Sequence, residues 1–308
     1  MVRSGLRRYP REIVASIREK HNEPEVRIEP GRRIVDPGVA LAAAWLGHGS
    51  VLSYIGGRWV LVDPVFSKRI GPRIGSRVLG LGRKIEVPPI ATTLPAIDAI
   101  FITHAHFDHL DRPTLERLAN PDTVVVTPRR TARLIPSGFG DIVELEWHRP
   151  TRVKDLEVVA LEPRHWGARR ALDLRRGCNA YLISGGGRSI FCAGDTAHTR
   201  AFDGLGAVDL ASLGIGAYEP WHHQHATPEQ AWEMFQKMGA RYLLPVHHST
   251  YPMSDEHPDE PMERLLRVAE PETDRIVGRS LGELFIEGAD NGDASKSAQE
   301  DPEATGSG

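Results

Sequence analysis

The sequence predicts an α/β domain in which β-hairpins and helices alternate around a layered sheet, and three observations carry that prediction. Short apolar, β-branched runs recur from the residues around Trp45 to Val246, each of strand length and bounded by glycine, proline or polar residues. Two pairs of these runs are joined by glycines, Gly56-Gly57 and Gly185-Gly186-Gly187, which read as hairpin turns. One stretch, from Thr227 to Gly239, carries the start and stop signals of an amphipathic helix.

The elements follow in order. Residues 1–40 are basic and punctuated by proline and glycine, with one helix expected around Arg11 to Lys20. The arginines at 3, 7, 8, 11 and 18 suit either a solvated helix face or contact with an anionic surface. Ala44 to Ile55, the Gly-Gly turn and Arg58 to Pro64 read as strand, turn and strand. Lys68 to Lys84 mixes cations, glycines and aliphatic residues without a clean period, so a long, partly mobile loop is expected, suited to a ligand with an anionic head and an apolar body. Ala99 to Thr103 is a buried strand, and Arg112 to Ala119 a helix with proline near its start. Strands follow at Thr123–Thr127, Val143–Leu145, Leu156–Leu161, Asn179–Ser184, Ser189–Ala193 and Ala207–Ile215.

Thr227-Pro228-Glu229-Gln230 supplies an N-cap, a proline at the first helical position and a glutamine able to complete a capping box. Ala231, Met234, Phe235 and Met238 then form one apolar stripe, and Gly239 ends the helix. A strand from Arg241 to Val246 leads to His247. The expected organisation is therefore a basic extension (1–40), one catalytic-sized domain (41–287) and an acidic, disordered tail (288–308).

Composition narrows the class. A 308-residue chain with 40% hydrophobic and 26% charged residues is an ordinary globular composition. A formal net charge of -3 gives no support to a nucleic-acid binder. The two cysteines, Cys178 and Cys192, make no disulfide framework, so a reducing compartment is expected. No secretory signal or membrane-spanning run is present, and the expected location is cytoplasmic, with at most peripheral, transient contact with a membrane surface. Nothing in the sequence fixes an oligomeric state.

The chemistry is concentrated at Thr103-His104-Ala105-His106-Phe107-Asp108-His109, on the loop leaving a buried strand. Imidazoles and a carboxylate without cysteine suit zinc, manganese or iron. The pattern recurs downstream: His165, Asp195 and His247 each follow an apolar strand. Ligands at strand ends on one edge of a layered sheet converge in space. His104, His106, Asp108, His109, His165, Asp195 and His247 make seven candidates, too many for one tetrahedral cation and suited to two divalent ions sharing a carboxylate.

At these residues the sequence resembles the metallo-β-lactamase fold family, whose signature is the His-x-His-x-Asp-His loop seen at 104–109. Within it the chain looks most like the N-acylphosphatidylethanolamine phospholipase D branch, through Trp45-Leu46-Gly47-His48, Asp63-Pro64-Val65-Phe66-Ser67, His165-Trp166, Ala193-Gly194-Asp195-Thr196, Ile215-Gly216-Ala217-Tyr218 and His225 before Pro228-Glu229. The resemblance implies an αββα sandwich. It implies His104, His106 and His165 on one metal, Asp108, His109 and His247 on the other, and Asp195 bridging. It also places His225 in the active site, at the substrate or leaving group. The chain departs from the branch at Ala197, at His248-Ser249-Thr250-Tyr251 and in the polar loop Trp221-His222-His223-Gln224-His225, none of them a ligand position.

The expected function is dinuclear, metal-dependent hydrolysis: a hydroxide bridging two divalent ions, zinc first and manganese or iron as alternatives, attacks a phosphodiester of a phospholipid-like substrate. Asp108 orients the nucleophile and accepts its proton, and His225 serves the leaving group. Arginines of the 68–84 segment, or Arg169 and Arg170, suit either solvent exposure, the first reading, or bidentate pairing with a phosphate. A lactonase or amide hydrolase of the same fold, and a metal-binding protein without turnover, are the competing readings.

Overall fold

Alternation along the strands decides which layer each side chain enters. In the computed structural model, which describes residues 10–18, 26–75, 77–169, 173 and 175–289, Leu41, Ala43 and Trp45 point into one apolar cluster while Ala44 and Leu46 point into another. The same split separates Val60 and Val62 from Leu61. A strand apolar on both faces must be covered on both, and that requirement builds the layers.

The first sheet contains β1 (Leu41–Trp45), β2 (Val51–Ile55), β3 (Arg58–Val62), β4 (Ala99–Phe101), β5 (Val124–Pro128) and β6 (Asp141–Leu145). The second contains β7 (Thr151–Val153), β8 (Leu156–Leu161), β9 (Ala180–Gly185), β10 (Arg188–Cys192), β11 (Leu210–Gly214) and β12 (Tyr242–Val246). A last strand, β13 (Leu284–Ile286), returns to the first sheet and pairs antiparallel with β1. The spatial orders are β6-β5-β4-β3-β2-β1-β13 and β7-β8-β9-β10-β11-β12. Both expected hairpins are present, β2–β3 and β9–β10.

Between the sheets lies a core that joins Trp45, Val60, Val62 and Phe101 to Val158, Tyr181, Ile190 and Leu244. Outside the first sheet, α2 (Arg112–Leu118) buries Leu115 and Leu118 against Leu61 and Ile100. Outside the second, α3 (Pro228–Met238) and α4 (Glu260–Ala269) bury Phe235, Met238 and Leu265 against Phe191 and Leu213. The result is an αββα sandwich. At α3 the capping box closes: Thr227 Oγ1 accepts from Gln230 N at 3.3 Å, and Gln230 Oε1 accepts from Thr227 N at 3.1 Å. Gly239 ends the helix in the left-handed region at φ 83°.

Two segments differ from a plain loop reading. Residues 27–28 pair in parallel with 93–94, and Val26 is buried in the core beneath the first sheet. The 68–84 segment, expected as a loop, folds as nested ladders in which 69–70 pair with 81–82 and 73–74 with 77–78. Strands of two residues leave no periodicity to read. Their register rests instead on backbone contact, since a Cβ at Gly80 would collide with the Ile70 carbonyl and one at Gly71 with the Leu79 carbonyl. The expected helix near the N-terminus is α1 (Pro10–Arg18), and its extension to Lys20 lies outside the described residues. So do Arg3, Arg7, Arg8, Arg170 and the acidic tail from residue 290 onward.

One ion pair ties α3 to α4. Arg264 donates Nε and Nη2 to the two carboxylate oxygens of Glu229 at 2.9 and 2.7 Å, and these bonds hold the Glu229 carboxyl down to about 2. Because the folded value lies below the ordinary 4.5, the pair stabilises the fold above about that pH and loses its contribution as pH falls towards 2. Partly exposed pairs of this kind contribute under about 1 kcal/mol. Glu229→Gln should therefore lower the melting temperature slightly at pH 7, with the gap to the parent narrowing below about pH 4.5 and closing as the pH falls towards 2. A gap that stays constant across that range would contradict the assignment.

Candidate metal centre

Every candidate ligand sits at the same edge of the sandwich. Strands β1, β3 and β4 run parallel, as do β8, β10, β11 and β12, so their C-terminal ends meet along one seam. His48 follows β1, Asp63 follows β3, and the 104–109 loop follows β4. From the other sheet, His165 follows β8, Asp195 follows β10 and His247 follows β12.

Two groups of side chains lie side by side along that seam, each drawn from both sheets. In the first, His106 Nδ1 lies 2.8 Å from His104 Nε2 and 3.4 Å from His165 Nε2. Asp195 Oδ2 lies 3.6 Å from both His104 Nε2 and His165 Nε2. In the second, Asp195 Oδ1 lies 3.1 Å from both His109 Nε2 and His247 Nε2. Asp108 Oδ2 lies 3.6 Å from the same two nitrogens. One carboxylate thus offers one oxygen to each group.

These spacings fit divalent cations. Ligands about 2.0–2.1 Å from a tetrahedral ion stand about 3.3 Å from one another. His109 Nε2, His247 Nε2 and Asp195 Oδ1 are buried and make no hydrogen bond, an expensive state for polar atoms that share no other partner. A cation is the partner that satisfies lone pairs pointed at a common centre.

The surrounding bonds aim the ligands. His109 Nδ1 is 2.7 Å from Asp63 Oδ2, while Thr103 N donates to Asp63 Oδ1 at 2.7 Å, so the far ring nitrogen of His109 is turned to the centre. Thr103 Oγ1 lies 3.0 Å from His104 Nδ1, and the Gln224 carbonyl 3.1 Å from His165 Nδ1, which leave both Nε2 atoms facing inward. His48 Nε2 lies 2.9 Å from Asp108 Oδ2, and the His48 ring packs 4.0 Å from that of His247. His48, Asp63 and His247 all adopt positive φ, at 50°, 42° and 62°, uncommon for residues with a Cβ and grouped here at the site.

Burial and charge act together on the titrating groups. Burial drives His48 and His165 down to about 3, and His225 to about 4. Burial also lowers His104, reinforced by His109 and His106. For His109, burial is outweighed by Asp195, Asp63 and Asp108, which raise it well above the ordinary value. Burial would raise Asp108 and Asp195, yet His109 and the neighbouring imidazoles hold both well below the usual carboxylate range. The carboxylates therefore remain charged and seek positive charge.

All seven residues read from the sequence as ligands are brought together. His225 lies at their rim: its Nδ1 is 3.9 Å from Asp195 Oδ2, and its side chain is 13% exposed against 2% for Asp195. The arginine expectation is corrected at two positions. Arg169 Nη1 donates to the carbonyls of Ala105 and Leu110, and its guanidinium lies 4.1 Å over the Phe107 ring, bracing the ligand loop. Arg83 donates to the carbonyls of Leu46, Val65 and Ile85. Two positioning residues, His48 and Asp63, stand in stretches that carry the family resemblance but were given no role from the sequence. Asp63 had a readable signal, a carboxylate directly after an apolar strand, the same placement as Asp195.

An αββα sandwich with a His/Asp cluster at this edge defines the metallo-β-lactamase fold. The chain belongs to the beta-lactamase superfamily: the model of that family's domain matches residues 58–248. An uncharacterized protein of Mycobacterium tuberculosis is 35% identical over 252 residues, covering 75% of this chain and 65% of its own length. The mitochondrial N-acyl-phosphatidylethanolamine-hydrolyzing phospholipase D of Saccharomyces cerevisiae is 30% identical over 248 residues, 73% of this chain and 51% of the yeast protein. The chain thus spans about one half to two thirds of these relatives. Igni18, a metallo hydrolase from Ignicoccus hospitalis, shares the fold with a TM-score of 0.57 and 19% identity, covering 80% of this chain and 97% of that one.

Proposed function

We propose that the chain is a dinuclear metal-dependent hydrolase, acting as a phosphodiesterase of phospholipase D type on an N-acylphosphatidylethanolamine-like phospholipid. The observation that carries the hydrolase reading is Asp195, whose two oxygens face separate sets of histidine nitrogens at 3.1–3.6 Å. His104, His106 and His165 would hold one ion, Asp108, His109 and His247 the other, with Asp195 shared. Two divalent cations, zinc or else manganese or iron, supply charge stabilisation and water activation near neutral pH.

The chain's own residues do the rest. Asp108, fixed by His48, is the carboxylate placed to orient water and accept its proton. His225, at the more open side of the cluster, is placed to hydrogen-bond the leaving group. Support for a substrate with an apolar body comes from Phe107, which lies between two ligands and packs with Leu81 and Met253 against Val65, Ile70 and Tyr251. Support for the head group comes from relatives whose names specify N-acylphosphatidylethanolamine hydrolysis.

Metal analysis of the purified chain should return two equivalents per chain, and chelation should remove turnover that added zinc or manganese restores. One equivalent or none would overturn the dinuclear assignment. A substrate screen then tests the bond: turnover of phosphodiesters supports the reading, and turnover of lactones or amides alone would replace it with carbonyl chemistry.

A further inference from the structure

The metal centre leaves one surface of the molecule without a role. Helix α1 docks on the 69–82 hairpin through Glu12, whose carboxylate accepts from Gly82 N at 3.1 Å and pairs with Lys84 Nζ at 2.5 Å and Arg69 Nη1 at 3.5 Å. Ser16 is buried on the same side. An amphipathic helix ordinarily turns its aliphatic residues to the core. Here Glu12 and Ser16 face inward, while Val14 is 49% exposed and Ile17 52% exposed. Ile74, at the hairpin's turn and paired across it with Arg77, is 61% exposed. Among the described residues only one other large hydrophobic, Trp147, is comparably open, and it lies elsewhere.

The charge on this face is one-sided. Arg11, Arg18, Arg73 and Arg77 are exposed on α1 and the hairpin, and residues 68–84 hold six cations and no acid, in a chain of net charge -3. Exposed aliphatic residues framed by arginines match a surface that is anionic at its rim and apolar beneath. Behind the face, Ile70 and Leu81 of the hairpin pack in the cluster that includes Phe107, so the face is contiguous with the wall of the metal centre. No helix among the described residues is long and apolar enough to cross a membrane.

We propose that α1 and the 73–78 turn form a docking face for a bilayer containing anionic lipids, with Val14, Ile17 and Ile74 entering the headgroup boundary and Arg11, Arg18, Arg73 and Arg77 meeting phosphates. The inference goes beyond the substrate reading and stands without it, because the face holds a bilayer whether or not the lipid is cut.

The test is sedimentation of the full chain with phosphatidylcholine vesicles, with and without phosphatidylglycerol. The chain should pellet with phosphatidylglycerol present and be released as salt shortens the screening length below about 8 Å. Val14→Glu with Ile17→Glu, and separately Ile74→Glu, should each weaken partitioning by about tenfold or more. Trp147→Glu should leave it unchanged. Circular dichroism and metal content confirm that the variants are folded. Absence of binding to anionic vesicles, or binding indifferent to these variants, would overturn the proposal. So would a dimer in solution that Val14→Glu with Ile17→Glu dissolves, since a second copy would then cover the face. Binding to vesicles that the chain does not hydrolyse supports the docking face while removing the phospholipid reading.

Discussion

Asp195→Asn should lower turnover by roughly 10³-fold and bring bound metal below two equivalents per chain, with the circular dichroism spectrum unchanged. The substitution preserves size and removes the charge. The amide has one acceptor oxygen, so it cannot face His104 and His165 with one oxygen and His109 and His247 with another, as Asp195 does at 3.1–3.6 Å. Losing one of two cations forfeits several kcal/mol of charge stabilisation in the transition state, from which the rate factor follows. The measurements are metal content and turnover on the same preparation. Parent-level turnover with two metals retained would rule out the shared carboxylate.

The second large effect comes from a residue that is no ligand. Asp63→Asn should cost about 10–100-fold in metal affinity or turnover. Asp63 accepts from His109 Nδ1 through Oδ2 and from Thr103 N through Oδ1. With asparagine accepting from Thr103, its amide N–H faces His109 Nδ1, and the ring relieves two opposed donors by moving its proton to Nε2. That is the atom aimed at Asp195 Oδ1 and His247. The lone pair needed for a cation is then occupied. Competition with a metallochromic chelator reads the affinity directly, and unaltered affinity would show that Asp63 only supports the fold.

The sequence made the ligands legible because each sits where an apolar run stops, and a strand end is visible in a single chain. The alternation of hairpins and helices made a layered sheet legible and the family resemblance supplied the αββα order, whose physical basis is that β1 and β3 are apolar at both odd and even positions and need cover on two faces. The positioning contacts were less visible. His48 meets Asp108 across 60 residues of chain, and no local spacing announces such a pair. The 69–82 hairpin escaped for another reason: its strands are two residues long and its register depends on glycine backbones in contact, a tertiary fact. Arg83 and Arg169 turn inward because carbonyls at a loop bend compete with phosphate for guanidinium, and composition does not say which wins.

Each half of the centre takes ligands from both sheets. Asp108 and His109 ride on the first, His165 and Asp195 on the second, and what sets their separation is the thickness of the core between. Tyr181 Oη donates to the Ile102 carbonyl at 2.8 Å and Asn179 N to the Thr103 carbonyl at 2.8 Å, stitching the second sheet to the ligand loop of the first. The core is thus a caliper whose jaws carry the chemistry. A methylene gained or lost between the packed rings of Phe101 and Tyr181, neither of them a ligand candidate, should therefore shift the two jaws relative to each other. The fold tolerates such a change, while a carboxylate that must reach two sides at once does not. The geometry of the centre therefore depends on the interior of the sandwich as well as on its edge.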